Sequence, residues 1–364
     1  MVFLVASAAM TPPTPDDPYE ILRRFAPGTL LREATELILR QGSGALILVG
    51  SGPKVDEVCS GGFYLDRTAF SAQRTAELAK MDGGIVIDDD AHLITRANVH
   101  FIPDPTIETR ETGTRFRTAE RLALHTGKDV IAISEEGRRM AVVFRNQNRY
   151  ELQSPTSLLA SANNSLTSLE RLRRRLQEAE ERLTRAEVDD VATGRDVLLV
   201  LIRAALVMRM YAEVERILVE LGGEAKLIRI QATDLVEGVD ELAALVYGDY
   251  QRRRRTSQRS VFDRMAEVPT EDLHDLHRVA AVLGFEEVEG AVRPRGLRAL
   301  ARVPRLPDTV RQALIGHFRD FQKLLHAAVA ELDQVDGVGP ARARQLRSYL
   351  DRVLQLGTPW ELPD

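Results

Sequence analysis

The chain has 364 residues, 44% hydrophobic and 28% charged, ordinary globular values that exclude fibrous repeats and a disordered chain and leave room for two or three domains. The formal net charge of −5 gives the whole chain no reason to bind nucleic acid, but residues 291–364 carry 12 Lys and Arg against 8 Asp and Glu, so positive charge is segregated at the C-terminal end. A single cysteine, Cys59, excludes an internal disulfide framework and a multi-cysteine zinc site and fits a reducing, cytoplasmic compartment.

The first ten residues, MVFLVASAAM, are apolar and end in small side chains, but they have no basic segment and are too short to span a bilayer. With the following TPPTPDDP they read as a disordered extension over residues 1–17, and translation starting at Met1 or at Met10 fits equally. No later stretch approaches 18 uncharged apolar residues, which argues against membrane insertion.

Residues 18–153 alternate helix and strand patterns. Helical spacing is expected over Tyr19 to Ala26, Leu30 to Gln41, Ser71 to Met81 and Thr118 to Thr126. The short apolar runs GALILVG (Gly44 to Gly50), GGIVIDDD (Gly83 to Asp90) and DVIAISEEG (Asp129 to Gly137) read as buried strands, and RMAVVFRN with RYELQ as a closing hairpin. Central strands under covering helices make an α/β domain, with a mixed sheet because the last strands are joined by a short turn. Cys59 precedes Ser60-Gly61-Gly62-Phe63, a turn expected between strand and helix, and reads as a buried small hydrophobe. The Glu135-Glu136 pair reads as a polar strand end.

From Ser154-Pro155 the pattern is all helical, through a spine domain over residues 154–287. Leu166 to Val188 has leucines at heptad-like spacing, the signature of a long amphipathic helix or short coiled coil, and Arg195 to Leu221 reads as a more apolar helix pair. Gln251 to Arg255, with four arginines, reads as a solvated helix end or linker that would add unspecific phosphate contacts at most.

Residues 288–364 contain two similar units, each a helix, a tight turn and a second helix: Gly296 to Phe318, and Leu324 to Leu350 with the turn VDGVGP. Gly337 and Gly339 opening a helix let the backbone approach a phosphate, and the helix dipole adds attraction. The unit resembles the helix-hairpin-helix module, which binds the DNA backbone without reading sequence; Gly337, Val338 and Gly339 match its loop, and Arg342 and Arg344 add charge beside it. The first unit has Val303-Pro304-Arg305-Leu306-Pro307 there and lacks the glycines, so the second is expected to grip DNA better. An isolated GxG between helices is also a common tight turn.

The densest chemistry lies in GTRFRTAER, Gly113 to Arg121, with three arginines and two hydroxyls in nine residues. Arginines converging on one loop suit a polyphosphate, since each planar fork makes two parallel charge-assisted bonds. The alternative is a solvated helix N-terminus in which Arg117 and Arg121 pair with Glu120 or Glu111. Lys80-Met81-Asp82-Gly83-Gly84 places a carboxylate and two glycines at the start of a buried strand, where an acid can hold a divalent metal and bare backbone can lie against a nucleotide.

The run KMDGG…RANVHFIPDPTIETRETGTRFRTAER…VIAISE resembles the diadenylate cyclase domain, whose hallmarks are an Asp-Gly-Ala and an Arg-His-Arg motif at this separation. With the helical middle and tandem helix-hairpin-helix end, the chain from about Tyr19 onward resembles the DNA integrity scanning family. The resemblance implies condensation of two ATP into cyclic di-AMP with release of two pyrophosphates. It also implies a symmetric homo-oligomer, an octamer in the family, with cyclase domains face to face, since each ATP supplies both nucleophile and electrophile. By position, Asp82 would bind Mg²⁺ or Mn²⁺ and help activate the 3′-hydroxyl. Gly83 and Gly84 would lie along the nucleotide, Phe101 by the adenine, and Thr114, Arg115, Arg117 and Thr118 on the phosphates, with Ser134 beside them.

Two departures stand out. Gly84 replaces the motif's alanine, a small-for-small change expected mainly to add backbone freedom, and Phe116 replaces the central histidine, so that the motif reads RFR. A phenyl ring keeps a flat apolar surface but neither donates to phosphate nor carries charge, and one lost donor to a charged group costs about 1.5–3 kcal/mol. His92, His100 and His125 are the nearby imidazoles that could substitute. Retention of Asp82, Arg115 and Arg117 favours an active cyclase regulated by DNA; the competing reading is a DNA binder or nucleotide sensor that no longer makes product.

Overall fold

A computed structural model describes residues 18–134, 139–250 and 260–356. The N-terminal extension with both candidate starts, the Glu135-Glu136 pair and the run Gln251 to Arg255 lie outside the described residues. The chain divides into two compact units, one of Met1–Ala162 with Arg216–Leu227, the other of Asn163–Glu215 with Ile228–Asp364.

In the first unit the order is α1 (Pro18–Arg24), α2 (Leu30–Gln41), β1 (Ala45–Val49), α3 (Pro53–Glu57), β2 (Cys59–Ser60), β3 (Phe63–Ala69), α4 (Ala72–Leu78), β4 (Gly84–Ile87), β5 (Leu93–Phe101), α5 (Thr114–Thr126), β6 (Asp129–Ile133), β7 (Ala141–Arg145) and β8 (Asn148–Leu152). The strands form one sheet in the order β2-β5-β4-β1-β6-β7-β8, with β3 also paired to β5. Among the described strands β1 and β4 run parallel and the other pairs antiparallel, so the sheet is mixed, as expected from the closing hairpin.

Period-two alternation sorts the central strands onto two apolar faces. Ile47, Val49, Ile85, Ile87, Ile131 and Ile133 meet α1, α2 and α4 through Ile21, Phe25, Leu31, Ile38 and Ala76. Leu48, Val86, Val130, Ala132 and Phe144 meet α3 and α5 through Val55, Ala119, Leu122 and Ala123. Helix α2 starts where the Thr29 hydroxyl accepts from the Arg32 N–H and stops at Gly42, in the left-handed conformation at φ 73°.

Several boundaries differ from the sequence expectation. Helix α5 begins four residues before the expected Thr118, so Arg115 and Arg117 lie on its first turn rather than in a loop. The Gly61-Gly62 turn joins two strands, β2 and β3, instead of a strand and a helix. Strand β3 escaped notice because it is largely exposed and carries Asp66 and Arg67 among its apolar residues. The stretch expected as a helix pair is a single helix, because nothing between Arg195 and Leu221 supplies a glycine or proline to break it.

The helical elements continue with α6 (Pro155–Val188), α7 (Gly194–Leu221), α8 (Lys226–Val236), α9 (Val239–Tyr250), α10 (Val261–Met265), α11 (Leu276–Leu283), α12 (Leu297–Ala301), α13 (Asp308–Phe318), α14 (Phe321–His326), α15 (Val329–Asp333) and α16 (Pro340–Leu356). The last five share one core, in which Leu300, Val303, Leu306 and Leu314 recur 32 residues later as Leu332, Val335, Val338 and Leu346. The two turns are also alike in backbone. Arg305 takes the left-handed conformation, φ 56°, at the position where Gly337 has φ 77°.

A buried polar network holds this C-terminal tract to α6 and α9. Arg298, 1% exposed, donates to Glu180 at 3.4 Å, to Thr184 at 2.9 Å and to Glu187, which also accepts from the Tyr250 hydroxyl. Asp249 accepts from the backbone N–H groups of Arg295, Leu297 and Arg298 at 2.8–3.0 Å and so caps α12. Burial pushes the Glu187 carboxyl up, against the pull of Arg298, and pushes the Tyr250 hydroxyl well above its ordinary value.

Candidate active site

Three chain ends on the α5 face of the sheet converge on one cavity of about 520 Å³: the start of β1, the approach to β4 and the first turn of α5. Asp82 ends a short 3-10 turn, Ala79–Met81, in the left-handed conformation at φ 56°, which aspartate tolerates better than most residues. Opposite it, Asn98 also has φ 55°, and the register between β4 and β5 shifts from Gly84↔Val99 to Val86↔Arg96. This bulge brings Asn98 against the bare face of Gly83. Lys80 is engaged by Glu77 at 2.7 Å, leaving Asp82 the acid at the cavity.

On the other wall, α5 starts after Gly113, φ 81°, and has no acidic residue in its first turn. The amino end of the helix therefore turns the positive end of its dipole toward the cavity. Thr114, Arg115, Phe116 and Thr118 all line the space, and Ser134 closes it from the end of β6. The Arg115 guanidinium lies against the open face of Gly44, the residue before β1. Phe116 packs its ring on the cluster of Val99, Phe101, Ala119 and Leu122, so it is both a cavity wall and part of the core. The Thr118 hydroxyl donates to the Thr114 carbonyl at 2.8 Å, which leaves its oxygen as an acceptor toward the cavity.

Of the residues singled out from sequence in this domain, Asp82, Gly83, Gly84, Phe101, Thr114, Arg115, Phe116, Thr118 and Ser134 meet at the cavity. Arg117 does not; it is exposed on α5 outside the lining. Arg121 donates to the Ile107 carbonyl at 2.9 Å, and Glu120 accepts from Thr109 and from the N–H groups of Arg110 and Glu111, so this carboxylate orders the preceding loop. Of the three histidines only His100 lines the cavity: His125 accepts from the Asp104 N–H at 3.2 Å, and His92 sits in the turn before β5, its N–H on Asp88. Gly44, Ala45, Leu46, Val99 and Gly113 also line it and were not singled out. Gly44 had a sequence signal, a glycine bounding a buried run, but what it faces comes from a helix 70 residues on.

Among the described residues no group of three or more His, Cys, Asp or Glu gathers. Among the described lining residues a divalent cation would find one carboxylate, Asp82, an arrangement suited to a metal that arrives with phosphate oxygens. Cys59 is half-buried on β2, and burial pushes its thiol up.

In the second unit, Gly337 and Gly339 are exposed in the turn before α16, as is Arg344 on the helix. The Val338 side chain points into the core at 5% exposure, and its N–H is bound to the Val335 carbonyl at 2.9 Å. Arg342 donates to the Gly337 carbonyl, bracing the turn. No helix among the described residues is long and apolar enough to cross a membrane.

Residues 32–148 match the family described as DisA bacterial checkpoint controller nucleotide-binding, and residues 152–292 match the DisA bacterial checkpoint controller linker region. The chain is 44% identical over 352 residues to the DNA integrity scanning protein DisA of Kineococcus radiotolerans, covering 94% of this chain and 97% of that one. It is 42% identical to its counterpart in Streptomyces coelicolor, over 92% of this chain and 91% of that one. A solved structure of DacA from Staphylococcus aureus aligns with a TM-score of 0.29 at 18% identity, over 37% of this chain and 88% of that one, a likeness too low to carry weight.

Proposed function

Because the chain belongs to the DisA family, we propose that its first domain condenses two ATP molecules into cyclic di-AMP and that its C-terminal helices bind DNA. The observation that carries the reading is that one cavity joins the Asp82 carboxylate to the amino end of α5. An acid that can hold a sugar hydroxyl faces a helix terminus that can hold phosphate.

In each half-reaction the 3′-oxygen of one ATP forms a bond to the α-phosphorus of the other. The bond from that phosphorus to the α,β-bridging oxygen breaks, and pyrophosphate leaves. Asp82 accepts the hydrogen bond of the 3′-hydroxyl, orients it and takes its proton as the new bond forms, passing it on to solvent. Arg115, with the N–H groups of the first α5 turn, offsets charge on the phosphates, and Gly83 and Gly84 let the sugar lie close to the backbone. A Mg²⁺ or Mn²⁺ ion held by Asp82 and the substrate's phosphates would supply further charge neutralisation. Catalysis of this kind is mainly positioning and electrostatics.

The reaction joins two nucleotides head to tail, so two protomers bring this cavity face to face, and a closed, self-complementary oligomer such as an octamer meets that need. Arg117, exposed on the first turn of α5, would then serve the facing protomer's nucleotide. The like backbone of the turns at Arg305 and Gly337 supports reading the C-terminal part, residues 288–364 in the sequence, as a tandem helix-hairpin-helix domain that contacts DNA phosphates without reading sequence. Gly337, Gly339, Arg342 and Arg344, with the backbone of Val338, make the stronger of its two contacts.

The test is product formation from ATP with Mn²⁺ or Mg²⁺, read by chromatography. Cyclic di-AMP from the wild type but not from Asp82→Asn supports the reading. One observation favours a second: the Phe116 ring is absorbed into the apolar cluster and offers phosphate no donor. ATP binding without any product from the wild type, with product restored by Phe116→His, would make the chain a nucleotide sensor.

A further inference from the structure

Gly84 does not have a conformation that needs glycine. It is a β-strand residue paired with Val99, and its φ lies outside the left-handed region. What sets the position apart is space. A Cβ on Gly84 would fall onto the Phe101 ring, against Cε2, Cδ2 and Cζ together. Phe101 is 7% exposed and packed among Val86, Val99 and Leu122, so the one direction open to a displaced ring is toward the cavity. Both residues line the cavity, and Phe116 continues the same aromatic wall.

We propose that Gly84 is a positioning residue: its missing side chain seats the Phe101 ring against β4, and the seated ring is the flat wall on which the purine of a nucleoside triphosphate lies. This rests on the nucleotide reading above and deepens it. Base stacking on an aromatic face needs the ring at a fixed depth. A methyl group at residue 84 would push the ring into the space the base requires, and replacing Phe101 with a shorter branched side chain would relieve that clash.

Equilibrium binding of α,β-methylene-ATP and α,β-methylene-CTP to the full chain tests this, on the wild type, Gly84→Ala, Phe101→Leu and the double variant. Gly84→Ala is expected to weaken the ATP analogue about tenfold or more and to narrow its advantage over the CTP analogue, and in the double variant, where the clash is gone, the alanine is expected to cost no further affinity beyond that of Phe101→Leu alone, to within about threefold. Phe101→Leu alone, which introduces no clash, is expected to fold and to lose purine preference. If Gly84→Ala changes the melting temperature but leaves the ratio between the analogues as in wild type, its role is structural only and the proposal fails. If the wild type binds and Phe101→Leu keeps its purine preference, the proposal fails alone. If the wild type binds neither analogue, the nucleotide reading falls and takes the proposal with it.

Discussion

The guanidinium of Arg115 occupies the space that a side chain at Gly44 would fill. A residue of α5 is thus held in place by the start of β1, and the cationic end of the cavity depends on a glycine 71 positions earlier in the chain. Gly44→Ala is expected to dislodge Arg115 and cut nucleotide turnover by about tenfold or more, with the fold retained, since the displaced group is the far end of a flexible side chain. Steady-state kinetics beside a circular-dichroism melt would check it; unchanged turnover would mean that Arg115 works from another place.

Loss of the Asp82 carboxylate should strike turnover harder than binding. Asp82→Asn keeps the size and the left-handed backbone, which asparagine also tolerates. About a hundredfold fall in kcat with affinity for α,β-methylene-ATP within about threefold of wild type is expected. A matching loss in both quantities would instead make Asp82 a ground-state binding group.

Arg298 answers two buried glutamates, Glu180 and Glu187. Arg302 also pairs with Glu180, so Arg298→Met is expected to leave Glu187 buried without a cation and to cost about 3–5 kcal/mol in chemical denaturation. The deficit should shrink as the pH falls. Burial raises the folded-state pKa of Glu187, so protonating it favours the folded chain, and that stability is lost as the pH rises through the raised value. Urea midpoints at acidic and neutral pH distinguish this from a simple loss of packing.

Glu220, on α7 in the first unit, is pushed up by burial, opposed by the Gln153 N–H and by the Arg32 charge, and its Oε1 has no hydrogen-bond partner. A raised carboxyl contributes stability below its unfolded pKa and loses it as the pH rises through the folded value. Glu220→Gln should therefore stabilise the chain at neutral pH and flatten its stability profile above the usual carboxylate range. Thermal melts across pH test the sign.

The two C-terminal turns invite opposite substitutions. Gly337→Ala would force alanine into the left-handed region with its methyl 3.0 Å from Val310 Cγ2, and should destabilise by about 1–2 kcal/mol. Arg305→Gly would relieve the same backbone strain and should be neutral or slightly stabilising, while weakening DNA binding if the Arg305 side chain contacts phosphate. Melting curves and salt-dependent DNA titrations of both variants would separate the effects.

The central strands and the helices that cover them were legible because their signals are local: Ile47 to Val49, Ile85 to Ile87 and Val130 to Ile133 are short apolar runs between turn residues. Strand β5 was not, since LITRANVHF mixes polar residues with a bulge at Asn98. Nine cavity-lining residues were reached through motif positions, but the contacts that give them meaning were not. Gly44 and Gly84 looked like loop and strand glycines, and only their neighbours across the fold, Arg115 and Phe101, show that both supply room rather than flexibility. The expectation that Gly84 mainly adds backbone freedom is corrected on that ground. The buried network around Arg298 was illegible for the same reason, because its members are spread over more than a hundred residues.

Gly84 and Phe101 also constrain the routes by which such a site can change over generations. A lineage that acquires the phenylalanine while alanine occupies residue 84 passes through a clash, whereas one that acquires the glycine first passes through a small void. Glycine first is the gentler order, and once the ring is seated a return to alanine costs affinity for as long as the phenylalanine stays. The pair behaves as a ratchet, holding the altered motif in place by geometry.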